Sequence, residues 1–346
     1  MKLKNKRKWK IIQQYMLGWI LAFVFLSIVR GEGTKELGSV QFDLWKSILV
    51  SLVGGAIFGT ISGYAQILTE EHGHKKISIQ RLLLLRSLYV VLFIITIISI
   101  AYLIFGNNHI TYFQFAFEPG SFAIYLYILV TDICMSIFRQ INLFLGGNNL
   151  WLLFRGKFYT PREEKRIFMF LDLQSSTQHA ERLGHIKYSK LIQDCFNDLG
   201  VVLENEAEIY QYVGDEAVLT WKFKEGLENE NCIEAYYHFK KVLEEKKEYY
   251  LRYYDCLPHF KAGLNAGVVT VTEVGKYKKE IAYHGDTINT AARIQAKCNE
   301  YNQELLISKH LKNLLKTTRF MVEELGDIEL KGKENKELLY AVYQNN

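Results

Sequence analysis

The chain has 346 residues, of which 49% are hydrophobic and 23% charged, and its formal net charge is +5. This length is sufficient for two domains. The positive charge is too small to indicate nucleic-acid binding by itself. Apolar runs crowd the N-terminal part of the chain, whereas charged residues crowd the remainder. The composition therefore predicts a membrane part followed by a soluble part, with no nucleic acid as partner.

Four apolar stretches in the N-terminal part are each close to the ~20 residues that cross a bilayer. They are Ile11–Val29, Leu44–Leu68, Leu82–Phe105 and Ser121–Phe144. The first follows a basic segment, but no small-residue cleavage site comes after it, so we expect an uncleaved helix instead of a signal peptide. We predict an all-α transmembrane domain of four helices over residues 1–147, with the lipid bilayer as its partner.

The distribution of Lys and Arg between the short loops predicts the orientation. The N-terminus is strongly basic, and the loop after the second stretch carries Lys75, Lys76 and Arg81, whereas residues 107–120 contain neither Lys nor Arg. Cytoplasmic loops are enriched in these residues. We therefore predict a multi-pass protein of the cell inner (plasma) membrane, with the N-terminus and the soluble part in the cytoplasm.

Two features within the apolar stretches carry further predictions. Gly55, Gly59 and Gly63 recur at every fourth residue, which is typical of a close-packing face for another transmembrane helix. The alternative is a flexible helix with no role in dimerisation. Asp132 lies inside the fourth stretch, where a carboxylate indicates a functional site by default. We favour the alternative of a structural aspartate that pairs with Arg86 or Arg139.

The soluble part, residues 166–346, follows a connector at residues 148–165. We predict strands and helices in the order β-α-β-β-α-β, which is typical of an α+β ferredoxin-like core, with the helices on one face of the sheet. Hydroxyl or carboxylate side chains at Ser175–Thr177 and at Asp286 or Thr287 are expected to cap two of the helices. The predicted elements are Arg166–Leu173, a helix from Ser175 to about Glu206 with a break at Gly184, Ala207–Gly214, Glu216–Lys222, a helix over Asn231–Tyr254, His259–Gly275, Glu280–Gly285 and a helix over Asp286–Tyr301.

Two aspartates end short apolar strands in this part of the chain. Asp172 closes the first predicted strand, and Asp215 lies in a Gly-Asp turn between the next two. An aspartate at the end of an apolar strand is costly unless something binds it. Two such carboxylates, brought together by a strand–helix–strand unit, are suited to a pair of Mg²⁺ ions. Ser175, Ser176 and Thr177 open a helix directly afterwards, where free N–H groups can bind phosphate.

Cationic and amide side chains near the C-terminus complete the pattern. Asn289 and Arg293 are four residues apart and share one helix face, so Arg293 can meet a phosphoryl oxygen while Asn289 orients a ribose. Lys331 and Lys333 form a second cationic point for a triphosphate tail. Each of these residues alone is an ordinary turn or surface residue. Together and in this order they predict a nucleotide site.

Five segments occur in order along the chain and together resemble the class III nucleotidyl cyclase catalytic domain. They are FLDLQSST, YQYVGDEAVLTW, FKAGLNAGVVTV, YHGDTINTAARIQ and LKGK. The resemblance covers roughly residues 163–345, and the four-span part is similar to that of bacterial membrane-bound adenylate cyclases. It implies an enzyme of second-messenger signalling that converts ATP to 3′,5′-cyclic AMP and pyrophosphate.

The resemblance also implies a role for each metal-site residue. Asp172 and Asp215, with the carbonyl of Leu173, would bind two Mg²⁺ ions per site, for which Mn²⁺ could substitute. One ion would lower the pKa of the ribose 3′-hydroxyl, which would then attack the α-phosphorus in line.

The remaining roles imply a homodimer with two equivalent sites at its interface. Arg293 would stabilise charge on the α-phosphate, Asn289 would position the ribose, and Lys331 would bind the β- and γ-phosphates. In this family the metal-binding residues of one site come from one subunit, and the residues that match Asn289 and Arg293 come from the other.

The base pocket departs from the family pattern. Gln211 and Ala282 stand where adenylate cyclases of the family have Lys and either Asp or Thr, and Gly214 is the third expected substrate contact on this side of the site. Gln211 can donate and accept hydrogen bonds to an adenine edge, whereas Ala282 can offer only its backbone. A cyclase of GTP or of a pyrimidine nucleotide, and a non-catalytic module that binds a nucleotide or a partner, stay as alternatives.

Overall fold

The chain was analysed as a computed structural model that describes residues 3–33, 44–72, 79–105, 111–117, 121–146, 156–316 and 319–345. It divides into two compact units, Met1–Phe144 and Leu145–Asn346. Lys75, Lys76, half of the loop at 107–120 and the first part of the connector, 148–155, lie outside the described residues. The topology predicted from those loops therefore stays a prediction.

The first unit is helical. It consists of α1 (Leu3–Gly33), α2 (Leu44–His72), α3 (Ile79–Phe105), the short α4 (Tyr112–Ala116) and α5 (Ser121–Leu145). Within the four long helices, Lys8–Val29, Trp45–Glu70, Gln80–Ser99 and Ser121–Phe144 are long and apolar enough to cross a membrane. The prediction of four apolar helices ahead of the α+β unit is confirmed.

The glycine face of α2 packs against α1 of the same chain. A Cβ atom added at Gly59 would lie 2.4 Å from the Cα atom of Met16, and one at Gly55 would lie 2.7 Å from the Cα atom of Ile20. Only glycine permits this backbone approach, which is the use that small residues have at interfaces between membrane helices. The predicted close-packing face is therefore confirmed, and its partner is α1.

A buried ion pair joins three helices of the same unit. Arg86 on α3 and Asp132 on α5 are each 1% exposed. Arg86 donates from Nη2 to Asp132 Oδ1 at 2.7 Å and from Nε to Asp132 Oδ2 at 3.1 Å. Ser62 on α2 donates to Asp132 Oδ1 at 2.8 Å. Of the two partners expected for Asp132, the structure selects Arg86, because Arg139 instead pairs with Glu70 at 2.8 Å.

The second unit is built on four antiparallel strands joined by two helical crossovers. Its elements are, in chain order, β1 (Arg162–Leu173), α6 (Ser176–Asp198), β2 (Glu208–Val213), β3 (Glu216–Lys222), α7 (Phe223–Leu227), α8 (Asn231–Glu245), α9 (Lys247–Tyr254) and β4 (Phe260–Val274). The strands lie side by side as β2-β3-β1-β4. This is the predicted β-α-β-β-α-β core.

Further elements extend this sheet to eight strands in the order β2-β3-β1-β4-β6-β8-β7, while β5 pairs with β4 off this path. They are β5 (Glu280–His284), α10 (Asp286–Glu300), β6 (Leu305–Ser308), α11 (Lys309–Leu314), β7 (Phe320–Ile328) and β8 (Glu337–Gln344). β6 runs parallel to β4, whereas the other pairs are antiparallel.

Helices lie on both faces of the sheet: the two crossover helices of the core, α6 and α8, lie on one face, as predicted, and α10, which is an addition to that core, lies on the other. Alternate β1 residues such as Ile167 and Met169 pack in a core with residues of α6 and α8. Phe168, which points to the other face, packs with Ile288 and Ala291 of α10. Because successive side chains of a strand point to opposite faces, the nearly continuous apolar run of β1 requires cover on both sides.

The predicted helix caps are wrong. Ser175 precedes α6 in the left-handed region, with φ 57°, and its side chain makes no capping bond. Gly285 precedes α10, and the Thr287 hydroxyl donates to the carbonyl of Val268 on β4 at 2.8 Å. The break at Gly184 is confirmed by its φ of 71°. The helix predicted over Asn231–Tyr254 is divided at Lys246 into α8 and α9.

Candidate active site

Strand pairing brings the two predicted aspartates to the same end of the sheet. Asp172 is the penultimate residue of β1, and its Cα partner on β3 is Glu216. Asp215 directly precedes Glu216 in the two-residue turn between β2 and β3. Gly214, with φ 63°, supplies the positive φ of that turn. The hairpin therefore sets Asp215 beside the end of β1.

The electrostatics of this end of the sheet are those of like charges in a half-buried place. Burial, and after it the Asp215 carboxylate, raise the pKa of Asp172 above its ordinary value. Burial, Asp172 and Asp215 together raise the pKa of Glu216 to about 7. Sequence reasoning missed Glu216, although its position next to Asp215 at the start of β3 was visible. Asp172, Asp215 and Glu216 therefore form an acidic cluster, in which burial and like charge raise the pKa values of Asp172 and Glu216.

The donor set of the cluster is compatible with a divalent cation. Within the described ranges, no group of three or more His, Cys, Asp or Glu side chains has the arrangement of a complete metal site. Mg²⁺ does not require one, because it is usually held by one or two carboxylates together with water and substrate phosphates. The backbone N–H of Leu173 donates to the Asp172 carboxylate and lowers its pKa against the effects of burial and Asp215. A metal-binding role for the Leu173 carbonyl stays a prediction.

Two groups next to Asp172 are suited to phosphate. The N-terminus of α6 begins at Ser176, three residues beyond the end of β1, and no side chain caps it. The N–H groups of Ser176 and Thr177 are thus available to an anion. Lys261 on β4 is the Cα partner of Asp172 and is 7% exposed. It forms no ion pair with any residue that the structure describes, although a buried lysine is nearly always paired.

The residues predicted on α10 lie on a different side of that helix from the acidic cluster. Asn289 is exposed and Arg293 half-buried, whereas Gln295 donates from Nε2 to Asp172 Oδ2 at 3.4 Å. At about 100° per residue, Gln295 is about 200° around the helix from Arg293. Asn289 and Arg293 are therefore directed away from the Asp172 of their own chain, and one chain does not bring the two predicted groups together.

The loop after β7 supplies the second cationic point. Arg293 lies at Gly332, where an added Cβ atom would be 3.5 Å from Nη2 of Arg293. Lys331, one residue before, is exposed. Lys333 is instead paired with Asp286 at 3.0 Å and with Glu337 at 3.7 Å. The phosphate-binding role expected of Lys331 stays a prediction.

The strands of the predicted base pocket are in contact through their neighbouring tyrosines. Gln211 is exposed on β2, directly after a bulge at Tyr210. Ala282 is half-buried on β5, next to Tyr283. The Tyr210 and Tyr283 rings meet edge to face with centroids 5.0 Å apart. Gln211 is accessible to a nucleobase, and Ala282 offers no polar side chain.

The fold and the paired carboxylates together define a nucleotidyl cyclase domain. Residues 158–344 match the adenylate and guanylate cyclase catalytic domain family. The chain belongs to this family. The resemblance inferred from the five sequence segments is thereby confirmed.

The chain is also similar to individual relatives and solved structures. The chain is 31% identical over 218 residues to adenylate cyclase 2 of Rhizobium meliloti (strain 1021), a match that covers 62% of this chain and 60% of the relative. A solved bacterial light-regulated adenylyl cyclase aligns with TM-score 0.55 and 17% identity, covering 66% of this chain and 68% of that one. The adenylyl cyclase CyaB from P. aeruginosa aligns with TM-score 0.47 and 20% identity, covering 54% and 97%.

Proposed function

We propose that this protein is a membrane-anchored adenylate cyclase of the cell inner membrane that converts ATP to 3′,5′-cyclic AMP and pyrophosphate in the cytoplasm. The observation that carries the proposal is the meeting of Asp172 and Asp215, two like charges with a raised pKa at Asp172, in a chain of the cyclase family. The four apolar helices support the anchor. The adenylate cyclase of R. meliloti supports ATP as substrate.

In the proposed reaction the carboxylates bind cations, and the N–H groups and lysines bind phosphate. Asp172 and Asp215 would hold two Mg²⁺ ions, or Mn²⁺ in their place, and bound metal would supply Lewis-acid chemistry that makes the ribose 3′-hydroxyl more acidic and neutralises phosphate charge. The N–H groups at the start of α6, with Lys261 and Lys331, bind the triphosphate. The bond from the 3′-oxygen to the α-phosphorus forms as the bond to the leaving pyrophosphate breaks.

The other half of each site comes from a second copy of the chain in this proposal. Asn289 positions the ribose, and Arg293 stabilises the charge that develops on the α-phosphate. Both are directed away from the Asp172 of their own chain, which supports a homodimer with two interfacial sites. Gln211 reads the adenine edge through its amide.

Product analysis tests the substrate. The full chain in lipid nanodiscs is incubated with ATP, GTP, CTP and UTP, with Mg²⁺ or Mn²⁺, and the products are identified by mass spectrometry. We expect cyclic AMP from the wild type and none from Asp172→Asn. A different cyclic nucleotide as product would show that the protein is a cyclase of that nucleotide and not an adenylate cyclase. No product from a folded dimer would favour the non-catalytic alternative.

Subunit mixing tests the shared site. Asp172→Asn and Arg293→Ala are co-expressed, each being inactive alone. Random pairing gives half heterodimers, each with one of its two sites intact, so about a quarter of the wild-type activity should return. A site built within one chain would give no recovery.

A further inference from the structure

The amide of Gln295 is the one α10 contact to the acidic cluster that the proposed reaction leaves without a role. It donates to Oδ2 of Asp172 at 3.4 Å. This bond favours the ionised carboxylate and lowers its pKa, in opposition to burial and the Asp215 charge. Gln295 is half-buried and comes from the same chain as the aspartate that it contacts.

The position of Gln295 is set by the backbone of the sheet. A Cβ atom added at Gly263 on β4 would lie 2.1 Å from the backbone nitrogen of Gln295, and one at Gly267 would lie 2.4 Å from Oγ1 of Thr287. Two glycines thus allow α10 to lie directly on β4. Thr287 anchors the start of the helix by donating to the carbonyl of Val268 at 2.8 Å. The helix therefore presents Gln295 to Asp172 through close main-chain packing.

We propose that Gln295 is a positioning residue of the cation site, which orients the Asp172 carboxylate within its own chain. The inference rests on the proposed function in one respect, the binding of a divalent cation at Asp172. A neutral amide is suited to this role because it satisfies one carboxylate oxygen without neutralising the charge. Lys or Arg at this place would compete with the cation for Asp172.

Helix α10 then serves two sites of the dimer. Its Gln295 acts on the aspartate of its own chain. Around the helix axis, Arg293 is about 160° and Asn289 about 120° from Gln295 by the shorter way, and these two residues act on the nucleotide held by the other chain. A substitution at Gln295 should therefore affect the site that contains the Asp172 of the same chain and leave the other site intact.

Metal binding without nucleotide gives the first test. Mn²⁺ is titrated into the full chain in nanodiscs and followed by electron paramagnetic resonance. Because outer partners of metal ligands typically change affinity 10- to 100-fold, we expect Gln295→Met, which keeps the length and loses the donor, to weaken Mn²⁺ binding about tenfold. Asn299→Ala, at an exposed position on the same helix, should leave it unchanged. Unaltered Mn²⁺ affinity in a folded Gln295→Met protein would overturn the proposal.

A second variant covers loss of folding. If Gln295→Met does not fold, Gln295→Ala is measured in its place and combined with Asp172→Asn. We expect Gln295→Ala to weaken Mn²⁺ binding alone and to add nothing once Asp172 is changed, since the two act through one carboxylate. Additive effects would overturn the proposal.

The sharpest test compares the Gln295→Met substitution on one chain of the heterodimer with the same substitution on the other chain. In the co-expressed pair, Gln295→Met is added either to the Arg293→Ala chain, which supplies the intact Asp172, or to the Asp172→Asn chain. The first placement should raise the Mn²⁺ concentration for half-maximal cyclase activity about tenfold, and the second should leave it unchanged. Equal effects of the two placements would overturn action within one chain. A wild type with no cyclase activity would refute the proposed function, while the Mn²⁺ titration would still decide the role of Gln295.

Discussion

Two clusters of charged side chains, one buried in the helical unit and one half-buried at the end of the sheet, differ in how their charge is balanced. In the helical unit, Arg86 meets both oxygens of Asp132, and Ser62 adds a further hydrogen bond. At the end of the sheet, Asp172 and Asp215 carry the same sign, and the pKa of Asp172 is raised by burial and by that neighbour. The first arrangement is complete within the chain. The second is costly until a ligand of opposite charge is added.

The second unit also contains a buried positive charge near this end of the sheet. Lys261 is buried beside Asp172 in strand register and forms no ion pair with the residues that the structure describes. A surface with unbalanced charges of both signs is suited to a ligand that itself carries both. A triphosphate with divalent cations is such a ligand. The difference between the two places supports the proposal that the first is a structural ion pair and the second a binding site.

Removing one charge from the unbalanced pair gives the largest expected effect. Asp172→Asn should lower cyclase activity about 1,000-fold, because it removes a cation ligand at the reacting phosphate. It should leave the free energy of unfolding unchanged or slightly higher, because a like-charge contact is lost. Cyclic AMP production measures the activity, and thermal unfolding of the same preparation measures the stability. A large loss of stability would show that Asp172 has a structural role.

Removing one charge from the Arg86–Asp132 pair should lower stability and should have little direct effect on cyclase activity. Arg86→Met leaves Asp132 buried without its partner, which typically costs about 3–5 kcal/mol. We expect a lower unfolding temperature of the full chain in nanodiscs. The change should affect cyclase activity only as far as folded protein is lost.

The matched control removes both charges. In Arg86→Met combined with Asp132→Leu, no charge stays buried, so stability should recover to near the wild-type level or exceed it. If the double variant is as unstable as Arg86→Met alone, Arg86 stabilises the bundle through contacts other than the ion pair.

The parts of the fold that local pattern determines could be predicted from the sequence. The apolar run of β1, the Gly-Asp turn at Gly214 and the four-residue spacing of Asn289 and Arg293 are local features. Each is found in the structure as predicted. Five segments that occur in order also resembled one family, the class III nucleotidyl cyclases. The family match over residues 158–344 confirms this assignment.

The parts that pairing across the fold determines could not be predicted. Lys261 lies opposite Asp172 because of strand register, and Gln295 contacts Asp172 because α10 approaches β4 closely at Gly263. Thr287 does not cap the helix, because its hydroxyl donates a hydrogen bond to the carbonyl of Val268 on the neighbouring strand. Sequence spacing likewise allowed Arg86 or Arg139 as partner of Asp132, and helix packing selected Arg86.

The smallest effect is expected at Glu216, the third carboxylate of the acidic cluster. Its pKa is raised to about 7 in the folded chain from an ordinary 4.5, by burial first and then by Asp172 and Asp215. The folded state therefore binds more protons than the unfolded state between these values. The free energy of unfolding should fall as pH rises through this window and level off above about pH 7.

Glu216→Gln removes that fall. Measured with a chelator present, the variant should match the wild type near pH 4.5 and be more stable at pH 8. The gain should be about 1 kcal/mol, because the half-buried side chain is partly screened by solvent. Glu248→Gln, at an exposed position of α9, is the matched control and should show no pH-dependent gain. A gain for Glu216→Gln that is equal at both pH values would mean that packing, and not the repulsion among the three carboxylates, sets the stability of this end of the sheet.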